Sequence, residues 1–270
     1  MYPITSLIVT YNNLAEIGDL LTDLGIHGMD SPVVVIDNAS QDGSADLISS
    51  QFPRVHLVRN RENVGYARAV NQGVRLCKTA FILLLNPDIR IKENKVISEM
   101  LAAINSQDNI AVVAPVQYKE KAKKRLLTFT WSFFSMQGMR LYWEQCIRHK
   151  PVEPAAVRVP FLNAGCLMLR KEAFESVGML NENYFLYGEE PDICLKFRRY
   201  NYECRLLPYL SVLHYRERSI ARVEPMKRIF VRLRGLGNIL HALICGWGCI
   251  CKDNLAKRGI LKRSFLKTQR

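Results

Sequence analysis

Four short apolar runs, Ser6–Thr10, Val33–Asp37, Val55–Val58 and Phe81–Leu85, recur along the first third of the chain, separated by polar turns and helix-patterned stretches. The first such stretch carries Leu14, Ile17, Leu20, Leu21 and Leu24 on one face and ends at Gly25; others run from about Ala45 to Ser50 and from Tyr66 to Leu76. Strands alternating with helices imply a parallel sheet joined by right-handed crossovers. Phe81–Leu85 suits a strand buried on both faces, although the run alone also suits a buried helix segment. Pro87 stops it. Asn86-Pro87-Asp88 then sets one carboxylate at the carboxyl edge of the sheet, where open α/β sheets bind ligands. Asp88 is therefore a candidate metal ligand, and the plainer alternative is an Asp in a solvated turn.

Three further loops meet that edge: Tyr11-Asn12, Asp37 to Asp42, and Asn63 to Gly65. Asp37, at a strand end, can accept from a ribose hydroxyl or a base N–H, and the small polar turn from Asn38 to Ser44 lets backbone approach a nucleotide closely. The chain lacks the G-x-G-x-x-G fingerprint, which argues against a nicotinamide or flavin cofactor. It also lacks G-x-x-x-x-G-K-[ST], so it is not a P-loop ATPase.

Length allows one large domain or two small ones, but charge divides the chain unevenly. Of the net +13, +11 falls between Arg216 and Arg270, where fourteen Lys/Arg face Glu217, Glu224 and Asp253. The near-neutral body disfavours nucleic-acid binding by the whole protein and directs the tail to an anionic surface. Met226, Ile229, Phe230, Leu233, Leu236, Ile239, Leu240 and Leu243, with Arg and Lys between them, form a basic amphipathic helix pattern. The apolar stretch Ile239–Cys251 is too short to span a bilayer, and no cleaved signal is visible at the start. The eight cysteines form no C-x-x-C pair, which fits reduced core thiols in a cytosolic protein. Cys245, Cys249 and Cys251 lie near His241 but match no zinc spacing.

The second half reads less regularly. Lys92 to Asn105 should be a helix and Ile110 to Ala114 a strand. Residues 115–160, with a basic run at Lys119 to Arg125 and an aromatic group at Phe129, Trp131, Phe133, Phe134, Tyr142 and Trp143, read either as an irregular excursion packed on the body or as an acceptor-facing flap. Phe161 to Leu169 returns to strand-like composition, with Gly165 marking a close backbone approach. Lys171 to Val177 is a short helix ended by Gly178. Pro191 suits a first helical position, which sets Glu189 and Glu190 in the turn before a helix bearing Asp192, Ile193 and Phe197. Two adjacent carboxylates at a helix mouth can serve as a general base and its neighbour, or as a solvated cap. Tyr202 to Leu207 and Ser211 to Tyr215 look like two closing strands, and His214 can offer a neutral imidazole to a metal.

Val9-Thr10-Tyr11-Asn12, Asp37 to Gly43, Asn63-Val64-Gly65-Tyr66-Ala67 with Asn71 and Gly73, Leu85 to Asp88, Asn163-Ala164-Gly165, Tyr187 to Lys196, and His214 together resemble the family 2 glycosyltransferases. Within that family the chain is similar to rhamnosyltransferase-like enzymes of bacterial surface polysaccharide and lipopolysaccharide assembly. The resemblance runs from about residue 4 to 220, in the family's order.

It implies an α/β GT-A domain over residues 1–220, Rossmann-like, with a mostly parallel sheet flanked by helices. Residues 1–115 would bind the nucleotide sugar, residues 116–220 would hold the acceptor and the catalytic groups, and residues 221–270 would be the basic amphipathic tail. Thr10, Tyr11, Asp37 and Asp42 would line the nucleoside pocket, with Asn12, Asn38, Asn63, Gly65, Asn71 and Asn86 completing the donor site. Asp88 matches the family's acidic metal motif and His214 its histidine near the diphosphate, so Mg²⁺ or Mn²⁺ is the implied cofactor. The family's acid pair is usually Glu-Asp; here it is Glu189-Glu190, with Glu190 the implied base and Glu189 and Asp192 its neighbours. The implied reaction is inverting transfer of a sugar, rhamnose by resemblance, from a dTDP- or UDP-linked donor to a lipid-linked or polysaccharide hydroxyl. The implied location is the cytoplasmic face of the bacterial plasma membrane, held peripherally by the tail on anionic lipid.

Two rivals stand beside this. Nucleotidyl transfer onto a sugar phosphate would bring a Gly-rich, basic phosphate loop after the first strand, and Tyr11-Asn12-Asn13 is not one. An inactive transferase fold acting as a basic membrane- or nucleic-acid-binding protein is suggested by the tail and by the Glu-Glu departure. The retained Asp88, His214 and nucleotide-pocket residues speak against it.

Overall fold

The computed structural model describes residues 3–26, 31–93, 95–118 and 155–215. The aromatic-rich part of the 115–160 stretch, the basic tail and Cys245, Cys249 and Cys251 lie outside the described residues. The first half follows the sequence pattern: β1 (Ile4–Thr10), α1 (Leu14–Ile26), β2 (Val33–Asp37), α2 (Ser44–Gln51), β3 (His56–Arg59), α3 (Tyr66–Leu76) and β4 (Phe81–Leu85). Then come β5 (Ile89–Arg90), α4 (Lys95–Asn105), β6 (Ile110–Tyr118), β7 (Val157–Arg158), β8 (Cys166–Arg170), α5 (Lys171–Ser176), α6 (Glu189–Arg199) and β9 (Glu203–His214).

Among the described residues one sheet takes all nine strands, in the order β3-β2-β1-β4-β8-β6-β9-β5, with β7 on β9. β3, β2, β1 and β4 are mutually parallel, as the alternation requires. From β8 onward the sheet is mixed: β8 runs antiparallel to both β4 and β6, and β9 is parallel to β6 but antiparallel to β5 and β7.

Strand alternation splits the core into two layers. Leu7, Val9, Val34, Ile36, Ile82 and Leu84 pack with Val70 and Val74 of α3, Phe174 of α5 and Phe197 of α6. Ile8, Val35, Leu83 and Leu85 face the other way, onto Ile17 and Leu20 of α1, Ile48 of α2 and Met100 and Ile104 of α4. Cys77, Cys166, Cys194 and Cys204 are free thiols buried in these layers.

Several boundaries differ from the sequence reading. The two expected closing strands are one, β9, which pairs with β6 up to Pro115↔Leu207 and resumes at Val116↔Ser211. Residues 208–210 are looped out between those pairs, where Pro208 has no N–H to give a ladder. β6 runs on through Pro115 to Tyr118, and residues 161–165 are irregular, so the strand expected from Phe161 begins only at Cys166. α4 starts at Lys95 instead of Lys92. α6 starts at Glu189 after an N-cap at Gly188, so the two glutamates occupy its first turn and Pro191 sits third, where its missing N–H is still one the helix does not use.

Candidate functional site

The carboxyl ends of β1, β2 and β4 form one edge. Thr10 lies beside Asp37 in the ladder, and the Asn38 N–H donates to the Thr10 carbonyl at 2.8 Å. Asn38 then ties the edge loops together: its Oδ1 accepts from the Val64 N–H and from Asn60 Nδ2, both at 3.1 Å, while its Nδ2 donates to Asn63 Oδ1 at 2.8 Å. Asn12 joins the first loop to the second, donating its N–H to Ser40 Oγ and accepting from the Gln41 N–H. Asn12 and Ala39 hold positive φ values of 56° and 67°, conformations that cost about 1–2 kcal/mol per non-glycine residue and persist where surrounding bonds enforce them.

Asp42 accepts from the Leu14 and Ser44 N–H groups and from the Ser44 hydroxyl. Burial pushes its carboxyl up, but these bonds outweigh it and hold it below the ordinary value. Asp42 thus fastens the starts of α1 and α2. Asn71 sits within α3, with its amide bound to Leu180 on both sides and to Glu182 Oε1, so it pins the turn that leads towards α6. Asp37 keeps an open acceptor: its Oδ2 takes the Ser40 N–H, whereas its buried Oδ1 and the buried Thr10 Oγ1 have no hydrogen-bond partner among the described residues. Buried polar atoms are rarely left so. Tyr11, exposed at the same edge, completes the group.

The second half of the site forms where β4, β8 and β9 meet. Asn86 donates its N–H to the Gly165 carbonyl and accepts at Oδ1 from the Tyr66 hydroxyl at 3.3 Å. Asp88 and His214 are almost fully buried and face one another, with Oδ1 to Nε2 at 3.2 Å. β5 clamps this pair, since Ile89 lies opposite His214 and the Tyr215 N–H donates to the Asp88 carbonyl. Gly165 is needed for space: a Cβ there would come within 2.7 Å of His214 Cε1.

α6 supplies the acid pair. Tyr187 and Gly188 both turn through positive φ, 66° and 104°, which aims the helix start into the site. Glu189 is buried, with Oε2 unpartnered among the described residues. Burial pushes its carboxyl up to about 8, the Glu190 charge adds to this, and N–H groups of Glu189 and Tyr187 counter it. Glu190 is half-buried beside it. Asp192 faces Lys196 Nζ at 3.2 Å, one helical turn on.

Tyr66 links the two halves. Its phenol is pushed well above its ordinary value by burial first, and then by the charges of Glu189, Glu190 and Asp88, so all three carboxylates lie within electrostatic reach of one hydroxyl. The sequence reading placed Tyr66 in a motif without giving it a role. Its neighbour Gly65, at φ 88°, lets Phe185 pack against the loop, where a Cβ would meet the Phe185 ring at 2.9 Å.

Asp88 Oδ1 and His214 Nε2 fit a divalent cation. Two donors about 2.1 Å from an octahedral ion and at right angles to each other lie about 3.0 Å apart, close to the 3.2 Å observed. Among the described residues no three or more His, Cys, Asp or Glu side chains gather as a metal site. The remaining positions therefore suit water or phosphate oxygens, as is usual for Mg²⁺ at nucleotide sites.

A sheet parallel in its first half, carrying the unpartnered Asp37 and Thr10 oxygens, a buried Asp–His pair and a helix-borne acid pair at its carboxyl edge, has the α/β architecture of the GT-A fold. Glycosyl transferase family 2 matches residues 5–178, more than half of the chain, and the chain belongs to that family: it is a glycosyltransferase. It is 25% identical over 261 residues to an N-acetylglucosaminyl-diphospho-decaprenol L-rhamnosyltransferase of Mycobacterium tuberculosis, covering 88% of this chain and 84% of that one. It is 27% identical over 219 residues to a dTDP-rhamnosyl transferase of Shigella flexneri, covering 78% and 68% respectively. A mannosyltransferase from Pyrobaculum calidifontis, solved with GDP-Man and Mn²⁺, shares the fold with a TM-score of 0.60 at 15% identity, over 96% of this chain and 81% of that one.

Proposed function

We propose that this glycosyltransferase moves a sugar of the rhamnose class from a nucleoside-diphosphate donor, dTDP- or UDP-linked, to a hydroxyl of a lipid-linked saccharide, inverting the anomeric centre. The observation that carries the reading is the buried Asp88–His214 pair at 3.2 Å at the carboxyl edge of β4. Tyr66, bound to Asn86 there at 3.3 Å, is within electrostatic reach of the Glu189–Glu190 pair as well. The two rhamnosyltransferase relatives support the sugar class, and the decaprenol-linked substrate in one of their names supports the acceptor class.

In this reading residues 1–115 form the donor half and 116–220 the acceptor half. Asp37 Oδ1 and Thr10 take hydrogen bonds from the nucleoside, and Tyr11 covers it. Asn12, Asn38, Asp42, Asn63, Gly65, Asn71 and Asn86 shape the loops. Asp88 and His214 would hold Mg²⁺ or Mn²⁺, which when bound neutralises charge on a departing diphosphate. Glu190 accepts the proton of the acceptor hydroxyl as that oxygen attacks the face opposite the leaving group. Its place in the first turn of α6 favours the carboxylate through the helix dipole. Burial pushes the Glu189 carboxyl up to about 8, so beside Glu190 it stays largely protonated near neutrality. Asp192, paired with Lys196, orients the helix.

The test is a thermal-shift panel of dTDP, UDP and GDP, with and without Mn²⁺, on the wild type and on Asp88→Ala. A nucleotide at about 100 times its Kd adds about 2.7 kcal/mol. Metal-dependent stabilisation by dTDP or UDP, lost in the variant, is expected. Equal shifts with and without Mn²⁺ would remove Asp88 and His214 from the metal role.

A further inference from the structure

We infer that Gln117 is a positioning residue for the metal half of the site: it fixes the His214 imidazole with Nδ1 protonated, so that Nε2 presents a bare lone pair beside Asp88. The inference rests on the reading of Asp88 and His214 as metal ligands, and nothing in the sequence pattern singled Gln117 out.

Gln117 and His214 are both almost fully buried, and Gln117 Oε1 lies 2.8 Å from His214 Nδ1. The amide is oriented from its other end, where Gln117 Nε2 donates to the Asn163 carbonyl at 3.2 Å. A carbonyl accepts only, so the nitrogen must face Asn163 and the oxygen must face the imidazole. An amide oxygen also only accepts, so Nδ1 must carry the proton. In the neutral ring, Nε2 is then unprotonated and sits 3.2 Å from Asp88 Oδ1. Without an acceptor at Nδ1 the opposite tautomer becomes available. Its Nε2–H would donate to Asp88 and occupy the space a cation needs.

The backbone holds this arrangement in place. Gln117 pairs with Val212 across the β6–β9 ladder, beyond the looped-out residues 208–210. Because side chains alternate along a strand, Gln117 and His214 emerge on the same face as Val212. Gly165 closes the third side, where a Cβ would lie 2.6 Å from Gln117 Oε1 and 2.8 Å from His214 Nδ1. The amide and the ring are therefore packed closely against the bare backbone of Gly165. A ligating histidine commonly donates its other N–H to a carboxylate, carbonyl or water, and losing that partner typically weakens metal binding about 10–100-fold.

The test is Mn²⁺ alone, titrated into the full chain and followed by loss of the free-ion electron paramagnetic resonance signal. It uses wild type, Asp88→Ala, Gln117→Met and Gln117→Glu, with thermal unfolding of each metal-free protein. Methionine keeps the length and removes the acceptor, whereas glutamate restores an acceptor oxygen for Nδ1–H. Gln117→Met is expected to bind Mn²⁺ about 10–100-fold more weakly, with Gln117→Glu recovering most of that loss. Wild-type affinity in Gln117→Met, with affinity lost in Asp88→Ala, overturns the role of Gln117 and leaves the metal reading standing. So does an equal loss in both Gln117 variants, which would make the residue a packing element. If the wild type itself takes up no Mn²⁺, the metal reading fails and the inference falls with it.

Discussion

Burial pushes the Glu189 carboxyl from an ordinary 4.5 up to about 8, with the Glu190 charge adding to it. The unfolded chain releases this proton near the lower value and the folded chain near the higher one. Between them the native state binds more protons than the unfolded state, so stability falls as pH rises through that window. Glu189→Gln stays neutral throughout. Its urea midpoint should gain on the wild type from about pH 5 to about pH 8.5, and a gap that stays constant with pH would contradict a buried, protonated Glu189. Glu190 has the complementary task. General-base assistance is worth about 10²–10⁴-fold, so Glu190→Gln should lower kcat by that factor while nucleotide binding, read by thermal shift, stays as in the wild type. Retention of most turnover would move the base elsewhere on α6.

At the scale of elements, α3 shows how tightly the helices bear on the sheet. A Cβ at Gly73 would overlap Leu7 Cδ1 and press on Ile36 Cγ1 at 3.2 Å, and both partners are fully buried in β1 and β2. Alanine is the better helix former by about 1 kcal/mol, yet overpacking a filled core costs about 1–3 kcal/mol. Gly73→Ala should therefore destabilise the protein in chemical denaturation, and a gain in stability would mean that β1 yields to α3. The alternation of β1 to β4 with helices was readable because each crossover writes a period of 3.6 between two apolar runs. The direction of β8 was not, since Cys166–Leu169 is buried on both faces and would look alike beside parallel or antiparallel neighbours. Asp37 and Asp88 were legible as strand-end carboxylates. Gln117 was hidden because Pro115 reads as a strand stop, and Tyr66 because it opens a helix whose register alone does not reveal what its hydroxyl meets.

At the scale of the whole molecule, the charge map and the fold address different partners. The described body contains the nucleotide edge and the acid pair, and none of its helices is long and apolar enough to cross a membrane. The sequence from Arg216 to Arg270 carries a net +11 outside it. On the proposed lipid-linked acceptor, whose saccharide would lie at a membrane surface, a basic segment that held the chain there would raise the encounter rate without touching the chemistry. Each Lys or Arg near an anionic leaflet contributes about 1 kcal/mol, and the attraction decays over a Debye length of about 8 Å at physiological salt and about 3 Å at 1 M. We expect the full chain to co-sediment with vesicles containing phosphatidylserine but not with neutral phosphatidylcholine vesicles, and to be released by about 1 M salt. A chain ending at Ser219 should lose vesicle binding and keep its nucleotide-induced thermal shift. Vesicle binding retained in that shorter chain would transfer the membrane contact to the body, leaving the tail's charge to serve another partner.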